Sequence, residues 1–327
     1  MYEVGVVAAL EEEVFRPAGH EIDVYVGCSA GSVVASVLAN GIQPSELYQI
    51  LDEDRADPLN FTRSAVYSSR AFRRAFMQFA RFLWALGKHA TAGFRTSIPD
   101  MLARAERDFP VGFFSLTQLE QHMRAMFEAR GLTNSFAALR RPLLIPAIDL
   151  DTTERVVFGA GKLIDVPISH AIAASSAIPG FFEPFAIRGR DYVDGGVGWS
   201  GHADLAAAAG ADVVIVVNPL VPASTEPGSR PMRQRGLYFI MEQTNRIYSQ
   251  NLLRQNLDRT MVRHPKTAFF LIQPTDSSSP LFGPSMGFEA SRAALRYGYE
   301  STRGWLASAG AGLLRLYGQR AASRSAS

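Results

Sequence analysis

Apolar positions change their period along the chain, and those changes mark its elements. Val4, Val7, Leu10 and Val14 recur at helical spacing until Pro17-Ala18-Gly19, which predicts a helix over 3–16. Ile22-Asp23-Val24-Tyr25-Val26 then reads as a short strand. A small-residue turn, Gly27 to Gly31, follows it, and a helix through Val33, Val34, Val37 and Leu38 stops at Gly41. Residues 55–140 carry no buried-strand pattern and read as a helical insert, with Ser115 and Gln118 spaced as a capping box for a helix ending near Gly131. Strands resume at 143–150 and 155–158, a helix is expected at 168–174, and the apolar run 211–217 suits a strand buried in a parallel sheet. After a Pro/Gly/Ser/Arg loop at 226–235 come a long helix at 237–263, a strand at 268–272 and a helix at 289–306. Strands alternating with helices define an α/β chain.

Composition adds exclusions rather than a function. A net charge of +2 argues against a nucleic-acid binder that works by electrostatics, and a single cysteine, Cys28, rules out an internal disulfide. No apolar run approaches the roughly 20 residues of a spanning helix, and Met1-Tyr2-Glu3 has no basic signal-peptide region, so a cytoplasmic location is expected. One local exception is the stretch 63–97, which holds seven basic residues and no acidic ones. Phe72, Phe76, Phe79, Leu83 and Leu86 form an apolar stripe along it. That pattern suits peripheral contact, through a basic helix near 70–88, with the inner membrane surface, or equally an insert helix packed on the core.

Two segments match G-x-S-x-G, Gly27-Cys28-Ser29-Ala30-Gly31 and Gly283-Pro284-Ser285-Met286-Gly287. Context separates them. An exposed nucleophile needs a sharp strand-to-helix turn with small neighbours, and only Ser29 has the strand before and the helix after. The plainer reading is a tight βα turn whose glycines merely permit packing. Gly196-Val197-Gly198-Trp199-Ser200-Gly201 spells G-x-G-x-x-G, but the polar Arg188-Gly189-Arg190-Asp191 before it and the absence of a ribose-binding acid after the next strand argue against a dinucleotide site.

A serine hydroxyl needs a group to take its proton. Of the histidines an α/β-hydrolase triad would need late in the chain, only His264 follows residue 202, and it sits between Arg263 and Pro265 where a helix ends, which suits a capping or surface role. The others lie upstream of it or fail to follow a plausible acid in the required order. Asp194 in Tyr192-Val193-Asp194-Gly195-Gly196 ends a short apolar run at two glycines, either as a base or as an ordinary Asp-Gly turn.

Gly27 to Ser32, the segment Ala173-Ala174-Ser175-Ser176-Ala177-Ile178-Pro179-Gly180-Phe181-Phe182-Glu183-Pro184, and Val193 to Val197 together resemble the patatin-like phospholipases in order and spacing. The resemblance covers roughly residues 2–50 and 143–220. It implies a three-layer α/β/α sandwich with a mostly parallel central sheet, a helical insert and C-terminal helices. Residues 1–220 would form the catalytic core, 221–306 a strand and helices packed on it, and 307–327 a flexible tail. Ser29 would be the nucleophile and Asp194 the base of a Ser-Asp dyad, with Gly27, Ala30 and Gly31 at the elbow and oxyanion position and Gly195 and Gly196 turning the chain at the base. The substrate would be a lipid ester (phospholipid, lysophospholipid or acylglycerol), with no cofactor and no metal. The family's glycine-rich oxyanion loop precedes the segment that starts here at Met1. The resemblance therefore places that loop and the first strand outside this chain, through a late-called start or a genuine short form. The short form would keep the amides of Ala30 and Gly31 for the oxyanion, and a catalytically weak lipid-binding protein stands as the alternative.

Overall fold

The computed structural model describes residues 1–60, 112, 114–223, 231–275, 281 and 288–325. The basic stretch 63–97 and the second motif at Ser285 lie outside the described residues.

Helix α1 spans Tyr2–Leu10 and continues as a π-helical turn over Glu11–Phe15. It is apolar on every side, the mark of a helix buried all round, and Tyr2, Val6, Ala9 and Leu10 are each at most 2% exposed. Strand β1 is Tyr25–Val26, shorter than its β-branched sequence suggests, and helices α2 (Ala30–Ala39) and α3 (Pro44–Asp52) follow. Helix α4 covers Thr117–Ala129. Its expected capping box is absent: Leu116 holds the cap position, and the Ser115 hydroxyl accepts from the Thr117 amide instead.

Strand β2, Leu143–Asp149, is the hub of the sheet. It pairs parallel with β1 (Tyr25 opposite Leu143, Val26 opposite Leu144) and antiparallel with β3, Arg155–Phe158. Beyond β1, it pairs antiparallel with β5, Arg190–Asp194, placing Asp194 opposite Ala147. Strand β4, Phe185–Ile187, completes a hairpin with β5 through Arg188 and Gly189, both at positive φ as a tight two-residue turn requires. Parallel pairing returns between β6 (Val213–Val217) and β7 (Ala268–Ile272). The β2–β3 and β4–β5 pairs are antiparallel because short turns join them, too short for a helical crossover, whereas β5 reaches β2 only after the helix at Ile168–Ser175 and β4.

Helix α5, Ile168–Ser175, packs with α2 against β2, and the buried Val37, Leu38, Ile145, Phe158, Ile168 and Ile172 form the main core there. A short helix α6 (Ala203–Ala208) and the long α7 (Leu237–Arg263) cover β6. Helices α8 (Phe288–Leu306) and α9 (Ala311–Ser325) close the chain. The expected flexible tail is thus largely helix. Leu313, Leu316 and Tyr317 recur at helical spacing, and Leu313 and Tyr317 are buried with Phe15 and Leu306.

Helix α1 crosses α8 on two glycines. A Cβ at Gly5 would lie 2.1 Å from the Leu295 carbonyl oxygen, and one at Gly298 2.3 Å from that of Tyr2. Gly5→Ala is expected to cost about 3 kcal/mol through this backbone collision, read as a lower urea midpoint at unchanged slope. An unchanged midpoint would contradict the crossing.

Candidate active site

Val26 is the last residue of β1 paired with β2; the chain then turns through Gly27 and Cys28 into α2. Gly27 is required by close packing, because a Cβ there would come within 2.6 Å of the Ser32 Cα and 2.7 Å of the Ala35 Cβ. Gly31 faces open space by comparison, its nearest neighbour being Glu3 Oε1 at 3.8 Å. Ser29 occupies φ 52°, ψ −130°, a conformation that L residues rarely adopt and that costs of order 1–3 kcal/mol. Such strain on a strand-to-helix turn exposes a hydroxyl above a sheet.

The amides around this turn are unequally committed. Ser29 N–H donates to Ser175 Oγ at 3.0 Å, and Gly31 N–H donates to the Cys28 carbonyl at 2.9 Å. Gly31 is therefore not the free oxyanion donor that its position suggested. Ala30 N–H has no acceptor among the described residues and sits at the N-terminus of the ten-residue α2, where partial positive charge favours an anion.

Asp194 ends β5 on the same edge of β2 that β1 leaves, which brings two residues 165 positions apart to one point. The following Gly195 has no room for a side chain, since a Cβ would lie 2.5 Å from the Pro146 oxygen and 3.1 Å from Cys28 Sγ. Gly196 donates its amide to Asp194 Oδ1 at 2.8 Å, and the Cys28 thiol approaches the same oxygen at 3.7 Å. Asp194 is only 6% exposed. Burial pushes its pKa above the ordinary carboxylate value, against the opposing hydrogen bonds from the Ser29 hydroxyl, the Gly196 amide and Cys28. Burial and the neighbouring Asp194 likewise push the Cys28 thiol well up, so it stays protonated and inert.

The loop after the base is held by Arg155. Its guanidinium pairs with both carboxylate oxygens of Asp204, at 3.0 and 2.6 Å, lies 3.3 Å from His202 Nδ1 and stacks 4.1 Å above the Trp199 ring. His202 is buried, and burial and Arg155 push its pKa down to about 4, so the ring is neutral near pH 7. The G-x-G-x-x-G segment lies in this loop, after an antiparallel strand and before the six-residue α6, which is not the parallel βαβ setting of a dinucleotide site. Among the described residues, no group of three or more His, Cys, Asp or Glu side chains is arranged to hold a metal ion.

Sequence patterns had placed Ser29, Asp194 and their glycines at the turns where they now sit. Ser175, which accepts the Ser29 amide, and Cys28, which approaches Asp194, carry no sequence signal of their own beyond their places in the 173–184 segment and the Gly27–Gly31 turn.

A strained serine on a strand-to-helix turn beside a buried carboxylate has the local geometry that a nucleophile elbow on an α/β fold requires. A family model for patatin-like phospholipases matches residues 1–206, and the chain belongs to that family, whose members in general hydrolyse lipid acyl esters. Among solved structures, VipD from Legionella pneumophila is similar over 94% of this chain and 64% of its own, with 14% identity and a TM-score of 0.34. The chain thus spans just under two thirds of VipD's length.

Proposed function

We propose that the chain is a lipid acyl hydrolase, a phospholipase A or lysophospholipase-like esterase, in which Ser29 is the nucleophile and Asp194 its base. The observation that carries the reading is the strained Ser29 brought by the fold to a buried carboxylate whose proton affinity burial has raised. An ordinary carboxylate, with a pKa of about 4, is a poor acceptor for an alcohol proton, and desolvation moves it toward the task.

Asp194 takes the proton as the Ser29 oxygen attacks the ester carbonyl. The tetrahedral oxyanion points toward the uncommitted Ala30 amide and the α2 N-terminus. Protonated Asp194 gives its proton to the leaving alcohol, and the acyl group remains on Ser29. Water, deprotonated by the same carboxylate, then attacks the acyl carbonyl, and Asp194 returns that proton to the Ser29 oxygen as the fatty acid leaves. Ile178 and Val197, 43% and 40% exposed, flank the site through Ala177 and Asp194 and supply apolar surface for an acyl chain.

Incubation with phosphatidylcholine, lysophosphatidylcholine and diacylglycerol vesicles is expected to release fatty acid, and a fluorophosphonate probe to add one label per chain. Folded protein that does neither would sink this reading in favour of a catalytically silent lipid binder.

A further inference from the structure

We propose that Ser175 is a positioning residue for the Ser29–Asp194 pair. Its hydroxyl would fix the nucleophile's backbone against the strand that carries the base. This deepens the function proposed above and rests on it.

Three observations converge on the C-terminal end of α5. Ser175 is fully buried, and its Oγ accepts the Ser29 amide at 3.0 Å while donating to the Pro146 carbonyl at 2.7 Å. Pro146 stands at the break on the edge of β2, after the last β1 partner at Leu144 and before the Asp194 partner at Ala147. Its carbonyl meets no strand there, and a proline has no N–H to leave unpaired. Two residues beyond Ser175, the Ala177 carbonyl accepts the Asp194 amide at 3.0 Å. Residues 175–177 therefore grip the backbone of both reacting residues.

The chemistry of the link is demanding. One atom must accept from Ser29 and donate to Pro146 at once, which a hydroxyl does and an alkyl group or a pure donor does not. The accepted amide belongs to the residue at φ 52°, so the bond pins the conformation most prone to relax. It also withdraws the Ser29 amide from the oxyanion, leaving that task to Ala30.

The test compares Ser175→Thr with Ser175→Val, which share a shape and differ in the hydroxyl. Misplacing a reacting group by an ångström costs about 100-fold in rate. Fluorophosphonate labelling and kcat are accordingly expected to be about 100-fold lower in the Val variant than in the Thr variant, with KM within about twofold. Hydrogen exchange at the Ser29 amide is expected to be at least about tenfold faster in the Val variant, because its acceptor is gone. Should either β-branched variant fail to fold, Ser175→Ala against the unmodified protein carries the same readouts. Equal labelling and equal Ser29 exchange across the pair would overturn the proposal. An unmodified protein that takes no label would instead sink the hydrolase reading, and the exchange comparison would still decide the link.

Discussion

Ser29→Ala is expected to lower ester hydrolysis by about 10⁴- to 10⁶-fold and to abolish fluorophosphonate labelling, as loss of a serine nucleophile does elsewhere. The neighbouring Cys28 thiol offers no substitute. It lies against Asp194 Oδ1, and burial together with that carboxylate keeps it protonated. Stability should change little, because alanine meets the same positive φ that serine does and the hydrogen bond lost is a single one. Ser285→Ala, which removes the serine of the other G-x-S-x-G segment, should leave both rate and labelling unchanged. The measurement is intact mass after probe treatment beside initial rates on a p-nitrophenyl ester. A Ser29→Ala protein that still labels would place the nucleophile elsewhere.

What the sequence disclosed depended on the range of the interactions involved. The long helix at 237–263 and the strand at 268–272 were legible because hydrophobic periodicity and propensity are local, and both formed over those residues. The elbow was legible because a strand, small residues and a helix must follow one another in the chain. The hairpin of β4 and β5 was not. Its strands are short and partly charged, and it forms because β5 finds the free edge of β2, which no local pattern announces. The same holds for β1, which shrinks to two residues because its pairing with β2 lasts only that long. Ser175 is the extreme case, since its partner Ser29 is 146 residues away and its own neighbours are only small helix residues. The C-terminal helix was missed for another reason. Its Ala, Gly, Ser and Arg content outweighed the spacing of Leu313, Leu316 and Tyr317, and tertiary burial against Phe15 decided the outcome.

Asp194→Asn should separate activity from stability more sharply than any other change in the site. On activity, an amide cannot take the Ser29 proton, and the rate is expected to fall by about 10⁴-fold, the scale seen when an aspartate that serves a catalytic serine is made neutral. On stability, the expected direction is the opposite. Burial raises the Asp194 pKa above its unfolded value, so the folded state holds that proton more tightly than the unfolded chain does. The native carboxylate therefore imposes no penalty below the unfolded pKa of 3.8, an increasing one as pH rises from there to the folded value, and its full penalty above it. Asparagine carries no charge to desolvate, keeps an oxygen for the Gly196 amide and presents an N–H₂ that the Ser29 hydroxyl can accept. The variant is thus expected to melt higher than the unmodified protein at pH 7, with the gap closing as pH falls toward 3.8. Thermal melts of both proteins across that range read the effect directly. The acid limb of kcat/KM in the unmodified protein should lie above the ordinary aspartate range for the same reason. An Asn variant that melts lower at pH 7, or a gap that widens on acidification, would mean that the hydrogen bonds to Asp194 outweigh its desolvation. The carboxylate would then be a structural anchor rather than a strained base.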